Sequence, residues 1–337
     1  KAVVPADCVQ YHRNKMEFSF YKGDAELALG LKKKQSFSEV ISISDCHLFS
    51  KESNDIVAFT RQFFEHTGLS VWDSHTQSGC LRHVMMRHSK HLDQYMLVIE
   101  AASDEAIFSE FSKVLCKQFP KVVSVYSMIV KEKKGSPTTK SVQHLLGATH
   151  IIEAIGDLTF KISPLSFFQT NSYQVKVLYD LVKKSCELDK SSTLLDLYCG
   201  TGSIGLYCAD AAAEVIGIEE VPDAILDAKE NATNNGISNA TFIEGRVKNI
   251  LKFNDFDVDC VVIDPPRAGM VPKALKRVAA LACKQLVYVS CNPVTLSRDL
   301  LELCKLGYAV DSITPVDMFP HSYHIETVVK LRLDALH

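Results

Sequence analysis

A thiol, a carboxylate and a glycine loop each follow an apolar run in the second half of the chain. Leu286–Val289 is a short β-forming run that leads straight into Ser290-Cys291-Asn292-Pro293. Asn292 and Pro293 break that strand, and apolar residues at Leu296, Leu300, Leu301 and Leu303 announce a helix. Cys291 is thereby placed at the carboxyl end of a strand and ahead of a helix amino terminus. In open α/β sheets that edge binds ligands. The positive end of the helix dipole predicts a setting that favours thiolate. Among eleven cysteines, a plain buried thiol is the default for any one of them. The position after the strand sets Cys291 apart.

The apolar strand Cys260–Ile263 ends in Asp264-Pro265-Pro266-Arg267, a carboxylate stiffened by two prolines and aimed into a cleft. Upstream, the strand Thr193–Tyr198 runs into Cys199-Gly200-Thr201-Gly202-Ser203-Ile204-Gly205, a G-x-G-x-x-G loop that lets backbone approach a nucleotide. Glu219 closes the strand Val215–Ile218, where a carboxylate accepts hydrogen bonds from ribose hydroxyls. The loop with Glu219 fits a dinucleotide oxidoreductase. It fits S-adenosylmethionine (AdoMet) equally, because the adenosine half presents the same groups. Asp264 and Cys291 separate these readings: no hydride-acceptor site is evident, and a nucleophilic thiol points to covalent chemistry on a base. A catalytically silent RNA-binding module is a third reading, against which the cysteine argues.

The elements that must position these groups alternate strand and helix from Ser192 onward, the signature of a parallel sheet. Helices are predicted over Ile204–Ala213, Ala224–Asn234 and Lys273–Cys283, and a further strand over Thr241–Ile243. A helical connector at 164–187 precedes them, with Val175, Leu178, Leu181 and Val182 on one face and Asn171 or Ser172 as its cap. Gln169 lies between aromatics in that connector and needs hydrogen-bond partners if buried.

The first half reads as strands (Met16–Tyr21, Ala25–Leu31 and Ser38–Ile43, with a Gly23-Asp24 turn; then Leu81–His88, Gln94–Ala101 and Val122–Val130) and two amphipathic helices, Ile56–His66 and Glu105–Gln118. That order predicts a small sheet with two helices on one face. Lys131–Lys140 is polar and rich in breakers, hence a mobile loop. Basic residues cluster here: Tyr11-His12-Arg13-Asn14-Lys15, Lys32-Lys33-Lys34, and Arg82, Arg87, His88 and Lys90. Each alone reads as a solvated face; together with aromatic planes they suit phosphates and unpaired bases.

At 337 residues the chain suggests two domains, 1–150 and 151–337. Net charge is −3, so an RNA partner requires a local basic patch. No apolar run approaches the roughly 18 residues that span a membrane, so no membrane partner is expected. The scattered cysteines include no Cys-x-x-Cys pair, and reduced thiols without a metal or iron–sulfur cluster are expected. The chain starts at Lys1, which reads as a trimmed product, so a missing targeting segment says nothing of the compartment.

These residues, taken together, resemble the uracil-5 RNA methyltransferases that modify tRNA and rRNA. The resemblance is carried by Tyr11–Phe20, Phe168-Gln169-Thr170-Asn171, Leu195–Gly202, Asp264–Gly269, Ser290–Pro293 and the closing His324-Ile325-Glu326-Thr327. It implies an α/β fold: a Rossmann-like AdoMet-dependent (class I) methyltransferase domain with a smaller N-terminal α+β RNA-binding domain. It implies that Gln169, Tyr198, Ser203, Glu219 and Asp264, with Gly200 and Gly202 of the loop, contact AdoMet. Some relatives carry Asn where Ser203 stands. Cys291 becomes the nucleophile and Glu326 the base; an exposed carboxylate on an edge strand is the plainer reading of Glu326. Tyr11, Arg13, Asn14 and Lys15 fall in the RNA-facing segment. The implied partner is RNA, with the thymine-loop uridine of tRNA first and rRNA second. The closing region is similar to the animal mitochondrial members, which implies a mitochondrial location, with cytosol or nucleus as alternatives. Relatives acting on cytosine usually place a cysteine after the proline of the Asp-Pro motif, where this chain has Pro266 and then Arg267.

Overall fold

The computed structural model describes residues 2–22, 26–33, 39–133 and 136–334. The expected Gly23-Asp24 turn and Lys34 lie outside them. The chain forms two compact units, Gln10–Glu153 and a second made of Lys1–Val9 with Ala154–His337.

The first unit is built on β1 (Lys15–Lys22), β2 (Leu27–Lys32), β3 (Val40–Ser42), α1 (Lys51–Glu65), β4 (Leu81–Ser89), β5 (Gln94–Ala101), α2 (Ile107–Gln118), β6 (Val122–Lys133) and β7 (Ser136–Gly147). Its seven strands run in the order β3-β2-β1-β4-β5-β6-β7. Only β5 and β6 are parallel, joined by the α2 crossover. Alternate strand residues Met16, Phe18, Phe20, Val84, Met86, Leu97 and Ile99 form one core with Phe64, Phe108 and Phe111 of the helices. The Phe64 and Phe111 rings lie 4.9 Å apart. Helix α1 starts five residues before the apolar stripe suggested, because the Ser50 Oγ accepts the Ser53 N–H and caps it there. The expected loop over Lys131–Lys140 is corrected. Outside residues 134 and 135 that stretch is hairpin backbone, with Lys131 paired to Thr139 and Glu132 to Pro137. An edge strand needs no apolar face and takes Pro on its solvent side, so composition concealed it.

β8 (Ile151–Ile155) spans the boundary and pairs with β9 (Leu158–Ile162); the second unit continues with α3 (Val175–Cys186), β10 (Thr193–Leu197), α4 (Ser203–Cys208), β11 (Glu214–Glu219), α5 (Pro222–Asn234), β12 (Ala240–Glu244), α6 (Val247–Phe253), β13 (Cys260–Ile263), α7 (Pro272–Ala280), β14 (Gln285–Ser290), α8 (Pro293–Lys305), β15 (Tyr308–Val316) and β16 (Glu326–Leu333). The sheet order is β12-β11-β10-β13-β14-β16-β15. The first five strands are parallel, and β16 and β15 return antiparallel. This is an open Rossmann-like α/β sheet, the architecture of class I methyltransferases. Strand order reverses between β10 and β13, which opens a crevice beyond their carboxyl ends. Helices α6, α7 and α8 cover the face carrying Leu195, Leu197, Val261, Ile263, Leu286 and Tyr288. The amino-terminal residues belong here because Val4 exchanges backbone hydrogen bonds with Pro315 and Asp317. Helix α4 is shorter than expected, giving way to a 3-10 turn at Ala209–Ala211.

Candidate active site

Every candidate catalytic and cofactor residue of the second unit lies at the carboxyl edge of its parallel strands or in the connector before them. The β10 run ends in Tyr198, which holds a left-handed φ of 64° and turns the chain sharply into the glycine loop. Gly202 has φ 77°, and a Cβ there would lie 2.8 Å from the Phe242 ring. Gly200 has φ 55°, and a Cβ there would meet nothing within 4 Å. The open side at Gly200 is where a ligand can approach the backbone, while the closed side at Gly202 is packed. Glu219 closes β11 and accepts the Gly200 N–H at 3.2 Å and the Val221 N–H at 2.9 Å. A carboxylate has about four acceptor positions, so it retains capacity for a ribose diol. Ser203 shares a 2.7 Å hydrogen bond with the Tyr179 hydroxyl.

Asp264 follows β13 directly, and its N–H reaches back to the Leu197 carbonyl at 3.3 Å. The buried Gln169 Nε2 donates to Asp264 Oδ2 at 3.3 Å. The connector glutamine is thus tied to the Asp-Pro-Pro-Arg turn. Of its aromatic neighbours, Phe168 is buried and Phe167 is exposed. Asn171 caps the turn before α3 rather than the helix itself: its Oδ1 accepts from the N–H groups of Tyr173 and Gln174.

Cys291 and Glu326 are neighbours electrostatically. Ser290 of β14 pairs with Thr327 of β16 in antiparallel register, Cys291 and Glu326 are the next residues beyond that pair, and the Glu326 carboxyl acts on the Cys291 thiol. Glu326 is buried, not the exposed edge carboxylate of the plainer reading. The Asn292 side chain accepts the Val294 N–H and caps α8, and its Nδ2 donates to the Arg267 carbonyl at 3.0 Å. Arg267 itself approaches His324 Nδ1 at 3.1 Å.

The electrostatics correct one expectation. Burial first, then the Glu326 and Asp264 carboxyls, push the Cys291 thiol up to about 11, against a smaller lowering by Arg267. Burial and these carboxyls oppose the thiolate that the α8 amino terminus was expected to favour, and the free protein holds a thiol. Burial and Asp264 likewise hold Glu326 well above the usual carboxylate range. Burial raises Asp264 to about 7, against its hydrogen bond from Gln169. The site is acidic and desolvated.

Two carboxylates escaped sequence reading. Asp196 is fully buried at the centre of β10; its Oδ2 accepts the Gly205 N–H at 2.9 Å, and burial lifts it to about 8. A lone Asp in Thr-Leu-Leu-Asp-Leu was the available signal. Asp299 is fully buried on α8 and accepts the Met270 N–H and the Tyr288 hydroxyl, both at 2.7 Å, and Arg298 Nε at 2.8 Å. Arg298 also donates to the Ala268 carbonyl, so the pair pins the turn after Asp264. Its signal was a carboxylate among Leu296, Leu300 and Leu303 on the apolar stripe.

These residues fit AdoMet. The buried Asp196 Oδ1 and Thr201 Oγ1 have no protein partner beneath the glycine loop. Gly200 is open, and Asp264, which raises Cys291 and Glu326, suits a cationic ligand. Among the described residues, no group of three His, Cys, Asp or Glu side chains is placed to hold a metal ion. No helix among them is long and apolar enough to cross a membrane.

The first unit arranges its basic residues differently. Arg82, Arg87, His88 and Asn14 are buried, and the Arg82 guanidinium lies 3.9 Å over the Trp72 ring. His88 is pushed down to about 4 by burial and by Lys90. Arg82, Arg87 and His88 are therefore framework rather than open phosphate contacts. Arg13 is partly buried, which lowers its guanidinium from its ordinary value. Tyr11, with φ 53°, and Lys15 are also partly exposed, and Lys51 Nζ lies 5.8 Å from the Tyr11 ring.

Residues 152–333 match the family described as tRNA (Uracil-5-)-methyltransferase. An uncharacterized RNA methyltransferase of Oceanobacillus iheyensis is 37% identical over 96% of this chain and 71% of its own length. One from Caldanaerobacter subterraneus is 35% identical over 94% of this chain and 71% of its own. The crystal structure of Pyrococcus abyssi tRNA (uracil-54, C5)-methyltransferase with S-adenosyl-L-homocysteine superimposes with a TM-score of 0.77 at 31% identity, covering 98% of this chain and 78% of that one. With the family match over residues 152–333 and relatives of this identity and coverage, the chain belongs to the tRNA (uracil-5-)-methyltransferase family of RNA methyltransferases.

Proposed function

We propose that this chain methylates carbon-5 of a uridine in RNA with AdoMet as donor, the thymine-loop uridine of tRNA being its first target and rRNA uridines the second class. The observation that carries the reading is the placement of Cys291 and Glu326 just beyond the Ser290–Thr327 pair, with Asp264 acting on both. The Pyrococcus abyssi neighbour is a tRNA (uracil-54, C5)-methyltransferase, which supports a tRNA uracil as target.

Carbon-5 of uracil is a poor nucleophile. Addition of the Cys291 sulfur to carbon-6 makes carbon-5 electron-rich. AdoMet supplies the methyl group on a positively charged sulfur. Glu326 then takes the proton from carbon-5, and Cys291 leaves as the carbon-5–carbon-6 double bond reforms. Glu326 must be ionised for that step, and Cys291 for the first. A cation bound against Asp264 favours both ionisations, because Asp264 raises both groups. Gln169 and the Asp299–Arg298 pair hold the Asp264 turn in place. The target base must leave its stack, so loop uridines suit the site.

In this reading the 1–150 half supplies RNA affinity through Tyr11, Arg13, Asn14 and Lys15, and the 151–337 half supplies chemistry. Asn14 contributes mainly by structure, since its carbonyl accepts the His88 N–H. Kinship with the animal mitochondrial homologue B, and a mitochondrial location, are supported by the closing-region resemblance; imaging the full-length tagged protein tests the location. Incubating the chain with labelled AdoMet and a tRNA transcript tests the function: digestion should yield 5-methyluridine, and label in another nucleoside or none contradicts it.

A further inference from the structure

Helix α5 and its C-cap present three amide or carboxyl side chains at four-residue spacing, Asp227, Asn231 and the cap residue Asn235. They meet alternate residues on and just after β9. Asn235 Oδ1 accepts the Thr159 N–H at 2.9 Å, and its Nδ2 donates to the Thr159 carbonyl at 2.7 Å. Asn231 Oδ1 accepts the Lys161 N–H at 2.8 Å. Asp227 accepts the Ser163 hydroxyl at 3.0 Å and the Ser166 hydroxyl at 2.5 Å. The two repeats are commensurate: four helical residues rise about 6.0 Å and two strand residues about 6.6 Å. A helix thus replaces the missing neighbour strand along β9 and carries the chain toward Gln169.

Asn231 does one thing more. Its Nδ2 donates to the Thr201 carbonyl at 3.2 Å, in the middle of the glycine loop. Asn231 is fully buried. Its two backbone partners fix the amide orientation, since Lys161 N–H needs the oxygen and the Thr201 carbonyl needs the nitrogen. We infer that Asn231 is a positioning residue of the cofactor site, setting the glycine loop in register with the connector that delivers Gln169 to Asp264. The inference rests on the reading of that loop as the AdoMet site.

The test compares Asn231→Ala with Asn235→Ala. Both unpin β9, but only the first releases Thr201. S-adenosyl-L-homocysteine should bind Asn231→Ala about tenfold or more weakly, the loss of one or two buried hydrogen bonds. Asn235→Ala should bind as the wild type does, even if its Tm falls as far. Amide exchange across Asp196–Ser203, read without ligand, should speed up in Asn231→Ala alone. Asn231→Leu, close in volume, carries the same expectation if the alanine variant folds poorly. Wild-type affinity and exchange in Asn231→Ala, or equal losses in both variants, overturn the inference. If the wild-type chain binds no S-adenosyl-L-homocysteine, the cofactor reading falls, and the exchange comparison still judges Asn231.

Discussion

The carboxyl edge of the second sheet gathers carboxyls that burial raises, whereas the first unit sets its buried cations against rings, carbonyls and a carboxylate. Asp196, Asp264 and Glu326 are all raised by burial, and Asp264 raises Glu326, Cys291 and Asp196 further. In the first unit Arg82 rests on Trp72, and Lys90 donates to the Phe49 carbonyl at 2.9 Å. His88 lies stacked 4.2 Å from Tyr95 and is hydrogen-bonded to Asp93. Desolvated charges without a counter-ion mark a place where a ligand completes the electrostatics; charges paired inside a fold mark framework. Buried ionisable groups therefore mark a ligand site where carboxyls crowd together and framework where cations meet rings and carbonyls.

The largest break of that contrast comes from Glu219→Ala, which removes two backbone hydrogen bonds of the loop and the ribose acceptor. Its affinity for S-adenosyl-L-homocysteine by calorimetry should fall by very roughly 1–3 kcal/mol, while RNA affinity holds. An unchanged dissociation constant would remove Glu219 from the cofactor site. Next in size is the reactivity of Cys291. With its thiol near 11, alkylation at pH 8 followed by peptide mass spectrometry should be slow. AdoMet should speed it by about tenfold for each unit by which it lowers the thiol, and more than uncharged S-adenosyl-L-homocysteine does. Equal rates with both ligands would show that the acidic crevice does not govern the thiol.

A smaller effect sharpens the other side. Arg13→Ala with Lys15→Ala should reduce the salt slope of RNA binding by up to about one unit for each cation–phosphate pairing that the change abolishes. Arg87→Gln should lower Tm and leave that slope alone; the opposite pattern would exchange their roles. A separate, pH-dependent effect is expected from Asp196→Asn. A carboxyl raised by folding to about 8 supports the fold fully below the ordinary carboxylate value, and that support is lost as pH rises through 8. Calorimetry should therefore show a shallower decline of Tm between pH 5 and 8 in the variant, which keeps an acceptor for the Gly205 N–H. A parallel decline would mean that Asp196 does not titrate there.

Much of the second unit was legible because period and punctuation agree there. Apolar runs of four to six residues end in Gly, Pro or Asn, and the chemistry stands at those endings, as at Asp264 and Cys291. What stayed hidden depends on pairing across the chain. The resemblance assigned Cys291 and Glu326 their roles, but the Ser290–Thr327 pair that brings their strands together is not local in sequence. The raised thiol follows from that register and from burial, neither of which a local motif encodes. In the first unit, β7 was invisible because an edge strand need carry no apolar period. The basic clusters misled because Arg82 and Arg87 look alike in sequence whether they face solvent or a core.

The division of labour between Cys291 and Glu326 is tested most directly by a denaturing gel of labelled tRNA transcript after incubation with AdoMet. Glu326→Gln should give a shifted band, a methylated RNA joined to Cys291 that cannot be released because carbon-5 keeps its proton. Cys291→Ala and the double variant should give none. Normal turnover by Glu326→Gln without a shifted band would show that Glu326 is not the base, and an adduct in Cys291→Ala would show that Cys291 is not the nucleophile.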